Sequence, residues 1–225
     1  MPEEKKSWLQ EWVETKKGKA WHQKYIDFWK MIPERDRASY DLTGAAIAGD
    51  INEVRGLINK GANVNITHGF SRTPLHEAAW GDHYDVAALL LQSGADIDAR
   101  DHWKATPLHY AAWKNSVSVL RLLLSQGADI EAVTNHQFTG RGFSFYRHFH
   151  HNLFPGSKPI HFAVRQKSND AAKLLILHGA EVNVFDSRDA SPLGILLDEQ
   201  DITWSGYRQT KDLQEAYKKK ITGIK

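Results

Sequence analysis

The sequence predicts an all-α solenoid of stacked helix–turn–helix units behind a helical N-terminal extension. Three observations predict it. TPLHEAAW at Thr73–Trp80 returns as TPLHYAAW at Thr106–Trp113. LLLQSGADID at Leu89–Asp98 returns as LLLSQGADIE at Leu122–Glu131, and the offset is 33 residues in both cases. A period of that length marks repeats that stack along one axis. Between these words the apolar residues fall at helical spacing: Leu75, Ala78 and Ala79, then Val86, Leu89 and Leu90.

The local chemistry of one unit explains each part. Thr73 suits an N-cap, and Pro74 suits the first helical position, where no N–H is needed. Ala78 and Ala79 are small enough to let a neighbouring helix approach closely. Gly94 stands where the second helix should end in a left-handed residue, a conformation glycine takes without strain. A single helix pair cannot bury its apolar face alone, so each unit must stack on a copy of itself.

The period, the TPLH tetrapeptide, the paired alanines and the GAD or GAN turn together resemble the ankyrin repeat family, over residues 40–197. The resemblance implies an ankyrin-type solenoid whose fingers and first helices form a concave, protein-binding side. It also implies that His76, His109 and His161 tie adjacent fingers together by hydrogen bonds.

Residues 1–39 precede the array. Trp8, Leu9, Trp12 and Val13, and then Trp21, Tyr25, Phe28, Trp29 and Ile32, lie at helical spacing, so this segment is expected to be a helical cap over the end of the solenoid. A partner-binding or membrane-surface helix is the other reading. The first unit is degenerate, with Thr43–Asp50 in place of the TPLH helix and its turn at Gly61-Ala62-Asn63. Units two and three span 66–98 and 99–131. The turn of unit four, Gly179-Ala180-Glu181, falls 52 residues after Gly127, so 19 extra residues lie within 134–157, ahead of Lys158-Pro159-Ile160-His161. Unit five opens at Ser191-Pro192-Leu193, and residues 198–225 are expected to form a C-terminal cap with a charged helix.

Charge and composition exclude several classes. The formal net charge is +2 and cysteine is absent, so bulk electrostatics favour no nucleic acid, and disulfides and thiolate metal sites are ruled out. No apolar stretch is long enough to span a membrane, and Met1–Lys6 does not open a secretory signal. The expected location is cytoplasmic and the expected state a monomer. No nucleophile–base pair, paired acids or phosphate loop stands out, so no enzyme and no cofactor are predicted.

The insertion is the unusual stretch. Residues 134–156 hold six Phe and Tyr, four His, two Arg and no acid. Long loops in compact repeats are often functional, and insertions of this kind map to one face. His148, His150 and His151 lack a partnering Asp, Glu or Cys within the loop, so no metal site is predicted there. Arg141 and Arg147 among aromatics suit stacking on single-stranded RNA, yet no basic stripe continues along the repeats.

Trp80 and Trp113 occupy the same position on successive first helices, where the resemblance places the concave groove. Ile47, Arg165 and Asp198 are their counterparts in units one, four and five. The finger tips add Phe70, Arg72, His102, Trp103 and Arg188, and the insertion adds Arg141, Phe143, Phe145, Tyr146, Arg147 and Phe149. Tryptophan and arginine are enriched at interface hot spots. The predicted function is a protein–protein interaction module that inhibits or recruits one partner, in a toxin-neutralising or effector-type role. The alternative is an RNA- or metal-binding accessory protein that uses the loop.

Overall fold

The structure, a computed structural model, describes residues 34–68, 70–135, 155–182, 184–186 and 191–192. Among these the chain forms helices only: α1 (Glu34–Ala48), α2 (Ile51–Asn59), α3 (Pro74–Gly81), α4 (Tyr84–Gln92), α5 (Pro107–Lys114), α6 (Val117–Ser125), α7 (Pro159–Arg165) and α8 (Asn169–Leu177). The first helices stack in the order α1, α3, α5, α7, and the second helices in the order α2, α4, α6, α8. The all-α solenoid read from the period is therefore the observed architecture.

The core lies between and within these two layers. Leu42, Leu75, Leu108 and Ile160 form one buried column, and Leu57, Leu90, Leu123 and Leu175 form the second. Burying one such side chain contributes roughly 1.5–3 kcal/mol. The paired alanines Ala78, Ala79, Ala111 and Ala112 are fully buried, which is the close helix approach their size permits.

Each turn is stitched to the next by a repeated hydrogen bond. The turn glycines Gly61, Gly94, Gly127 and Gly179 all take positive φ, between 83° and 94°. Just beyond each turn, a side chain from the preceding unit accepts a backbone N–H. Asn65 Oδ1 takes that of Asp96 at 2.8 Å, Asp98 Oδ1 that of Asp129 at 3.0 Å, and Glu131 Oε1 that of Glu181 at 3.0 Å. Between the two helices of each unit, Gly49, Asp82, Asn115 and Lys167 sit in the left-handed region. Asp and Asn tolerate that region better than most residues. Asp82 and Asn115 also accept the N–H groups of Val119 and Ala171, each at 2.9 Å, in the next unit's second helix.

Helix α1 starts at Glu34 and runs past residue 39. Tyr40 and Asp41 stand in register with Thr73 and Pro74, so neither the cap nor the proline that starts α3 is present to start a helix there. In unit one Asp41, Gly44, Glu53 and Gly56 are exposed. Residues 1–33, assigned to the helical extension, lie outside the described residues. So do residues 193–225, whereas Ser191 and Pro192 at the opening of unit five are buried. No described helix is long and apolar enough to cross a membrane.

Candidate functional site

The site is built on fingers held in fixed register. In unit two His68 and Arg72 form an antiparallel bridge. In unit three Asp101 accepts and donates across the same position, with its N–H on the Ala105 carbonyl at 3.0 Å. In unit four Thr134 donates its N–H to the Ser157 carbonyl at 3.0 Å, and Gly156 returns a bond to Thr134 at 2.7 Å. The Thr134 hydroxyl accepts the Ser157 N–H at 3.1 Å. The 19 extra residues thus leave and re-enter through one closed finger base.

Neighbouring fingers are also joined. His102 donates its N–H to Phe70 O at 2.8 Å, and Asn135 donates to Trp103 O at 3.0 Å. Behind them runs a histidine ladder. His76 Nδ1 accepts the Thr73 N–H at 3.1 Å, which leaves Nε2–H to donate to Ala105 O in the next unit at 3.1 Å. His109 repeats this with Thr106 N–H at 3.1 Å and Ser157 O at 3.2 Å, reaching across the insertion. His161 bonds Lys158 N–H at 3.0 Å and Val184 O at 3.1 Å. Burial holds His76 at a pKa of about 4 and His109 at about 3, so both are neutral, as this bonding requires.

Trp80 and Trp113 come together on this scaffold. Their rings meet edge to face with centroids 5.5 Å apart; Trp80 also meets Tyr110 at 5.9 Å, and Trp113 meets Phe162 at 5.8 Å. Both tryptophans are half-buried and pack against the core. Their backbones are pinned: Ser116 and Ser168 donate hydroxyl hydrogen bonds to the Trp80 and Trp113 carbonyls at 3.5 and 3.0 Å. Lys114 places its ammonium 4.5 Å from the Trp80 ring centroid. Ile47, in the same column, is 57% exposed.

Two other expected contact residues turn inward. Trp103 is only 6% exposed, because Phe70 of the preceding finger packs on it with ring centroids 4.9 Å apart. Arg165 does not continue the tryptophan column outward. Its side chain is 5% exposed, ion-paired with buried Asp186, and donates to Ser157 Oγ at 3.1 Å. Phe70 and Arg72 are half-buried, and His102 is exposed at its finger. Arg141, Phe143, Phe145, Tyr146, Arg147, Phe149 and Arg188 lie outside the described residues, as do His148, His150 and His151.

The sequence reading missed a buried polar cluster under the fingers. Asp101 accepts the Tyr110 hydroxyl at 2.7 Å and the N–H groups of Trp103 and Ala105, each at 2.8 Å. Burial pushes the Asp101 and Glu77 carboxyls upward, and Arg72 pairs with Glu77 at 3.1 Å. Burial also drives the Tyr110 phenol well above its usual range, with the Asp101 charge adding to it. The signal was available, since Asp101, Thr134 and Asp186 follow the 33- and 52-residue offsets of the turns. Among the described residues no group of three metal-ligating side chains converges.

A family model of ankyrin repeats, in three copies, matches residues 42–134, and a single ankyrin repeat model matches residues 156–187. Together they span more than half of the chain. No curated protein matches it.

Proposed function

From the premise that this chain belongs to the ankyrin repeat family, a family of protein-interaction modules, we propose that it binds one protein partner along its first-helix groove and inhibits or recruits that partner. The observation that carries this is the Trp80–Trp113 pair. Two large, half-buried tryptophans stand with their rings edge to face at one helical position of adjacent units, on backbones held by Ser116 and Ser168. Rigid aromatic anchors of this kind lose little conformational freedom on binding and dominate interface energetics. The insertion, rooted at Thr134 and Ser157, leaves from the finger side of the same array and supplies a second contact region. Toxin neutralisation and effector action are both roles that such one-partner binding serves.

Affinity capture with the full chain, followed by titration of the captured partner, tests the reading. Trp80→Ala and Trp113→Ala should each cost about 2 kcal/mol or more of binding, roughly thirtyfold in affinity. Their helical spectra should match the parent. Full affinity in both variants would place the interface elsewhere.

A further inference from the structure

Among the described residues of units two to four the exposed charge is segregated, although the whole chain is close to neutral. On the fingers and first helices of units two to four, Arg100, Lys104, Lys114 and Lys167 are exposed. The acids of that side are withdrawn. Glu77 is buried against Arg72 at 3.1 Å, Asp101 lies under the Tyr110 hydroxyl, and Asp186 is buried with Arg165. Asp82 is the exception: it is an exposed negative charge, which also accepts the Val119 N–H at 2.9 Å. The second helices and turns carry the opposite sign. Asp85, Asp96, Asp129 and Asp170 are exposed there, and so is Glu181, which is paired with Lys158 at 3.0 Å, against Arg121 and Lys173.

The sign of the groove side meets its apolar floor at one point. Lys114 Nζ lies 4.5 Å from the Trp80 centroid, and the Trp80–Trp113 edge adjoins it. We propose that the partner docks through an acidic segment that lays an aromatic or large aliphatic side chain on the Trp80–Trp113 edge and a carboxylate on Lys114. This rests on the groove reading above and adds the chemistry of the occupant. A carboxylate at Lys114 would sit beside the Trp80 ring, whose apolar surface strengthens the ion pair relative to bulk solvent. The remaining exposed cations steer the same segment electrostatically, and the acidic opposite side repels it. A basic segment would meet the reverse field on both sides.

Panning a displayed library of random dodecapeptides against the full chain tests this, with the Lys114→Glu, Trp80→Ala and Trp113→Ala variants as counter-targets. The enriched peptides should place Asp or Glu within a few residues of an aromatic or large aliphatic residue. They should bind Lys114→Glu and Trp113→Ala about tenfold or more weakly, with the Lys114 effect fading as salt rises. Lys114 is exposed, so its variant should keep the parent helical spectrum. Neutral or basic peptides that depend on Trp113 but ignore Lys114→Glu would overturn the acidic occupant and leave the groove reading standing. Acidic peptides indifferent to both tryptophan variants would overturn the groove reading and this inference with it. Failure to enrich any peptide class overturns the inference. So does displacement of the acidic peptides by a single-stranded RNA oligonucleotide at equal potency, which would make the face a general polyanion site.

Discussion

Acid should unfold this array through its histidine ladder. His76 and His109 are buried, and each uses Nδ1 as an acceptor and Nε2–H as a donor, so only the neutral ring fits. Their pKa values fall from 6.5 to about 4 and about 3. A depressed folded pKa on a basic group means that the unfolded chain binds more protons below pH 6.5. The stability is therefore complete above that pH and lost as pH falls toward the folded values. With about 1.4 kcal/mol per pH unit, each histidine forfeits roughly 2–3 kcal/mol between neutrality and about pH 4.5, or about 5 kcal/mol for the two. That is a large part of the 5–15 kcal/mol typical of a domain. Glu77 and Asp101 act in the opposite sense, because burial raises their pKa and the folded state holds their protons more firmly as pH falls. Urea melts across this pH range give the net slope, and imidazole proton shifts in the folded protein isolate the histidine part. His109→Leu separates the two further. It should lose about 2–3 kcal/mol at neutral pH, from the unpaired Thr106 N–H and Ser157 carbonyl, and show a shallower pH dependence than the parent. Stability that stays flat down to about pH 4.5 would refute the reasoning, and so would folded-state imidazole signals titrating near 6.5.

Gly94→Val should destabilise by about 1–3 kcal/mol in a thermal melt, although an added Cβ meets nothing within 4 Å, because φ at Gly94 is +89° and the strain is in the backbone alone. Replacing residues 136–154 by a short turn should leave the helical spectrum and melting temperature close to the parent, since Thr134, Gly156 and Ser157 already close the finger base; partner affinity should drop in the same variant. Lys158→Met should lower stability by about 1 kcal/mol and the change should shrink at high salt, because the ammonium bridges Glu131 and Glu181 at a partly exposed joint between units three and four.

The sequence by itself determined the repeating frame. Pro at helix starts, Gly at the left-handed turns and alanine pairs at the helix contacts are local requirements, and each recurs every 33 residues until the insertion. The same arithmetic located the insertion, because the turn before it and the TPLH-like word after it obey the same local rules. His76 and His109 were legible for the same reason. Which side chains of the candidate face stay open was decided by tertiary structure. Trp80, Trp113 and Arg165 share one helical position, yet the tryptophan rings pack on each other while Arg165 turns in to pair with Asp186, 21 residues further on. Trp103 and Phe70 share a finger position, and the earlier ring closes over the later one. The start of α1 at Glu34 belongs to this class too, since the absence of Thr and Pro at 40 and 41 removes the stop without specifying where the helix begins. Local conformation follows from residues a few positions apart, whereas exposure depends on partners that the fold brings in from other units, and a repeat period carries no information about where those partners differ.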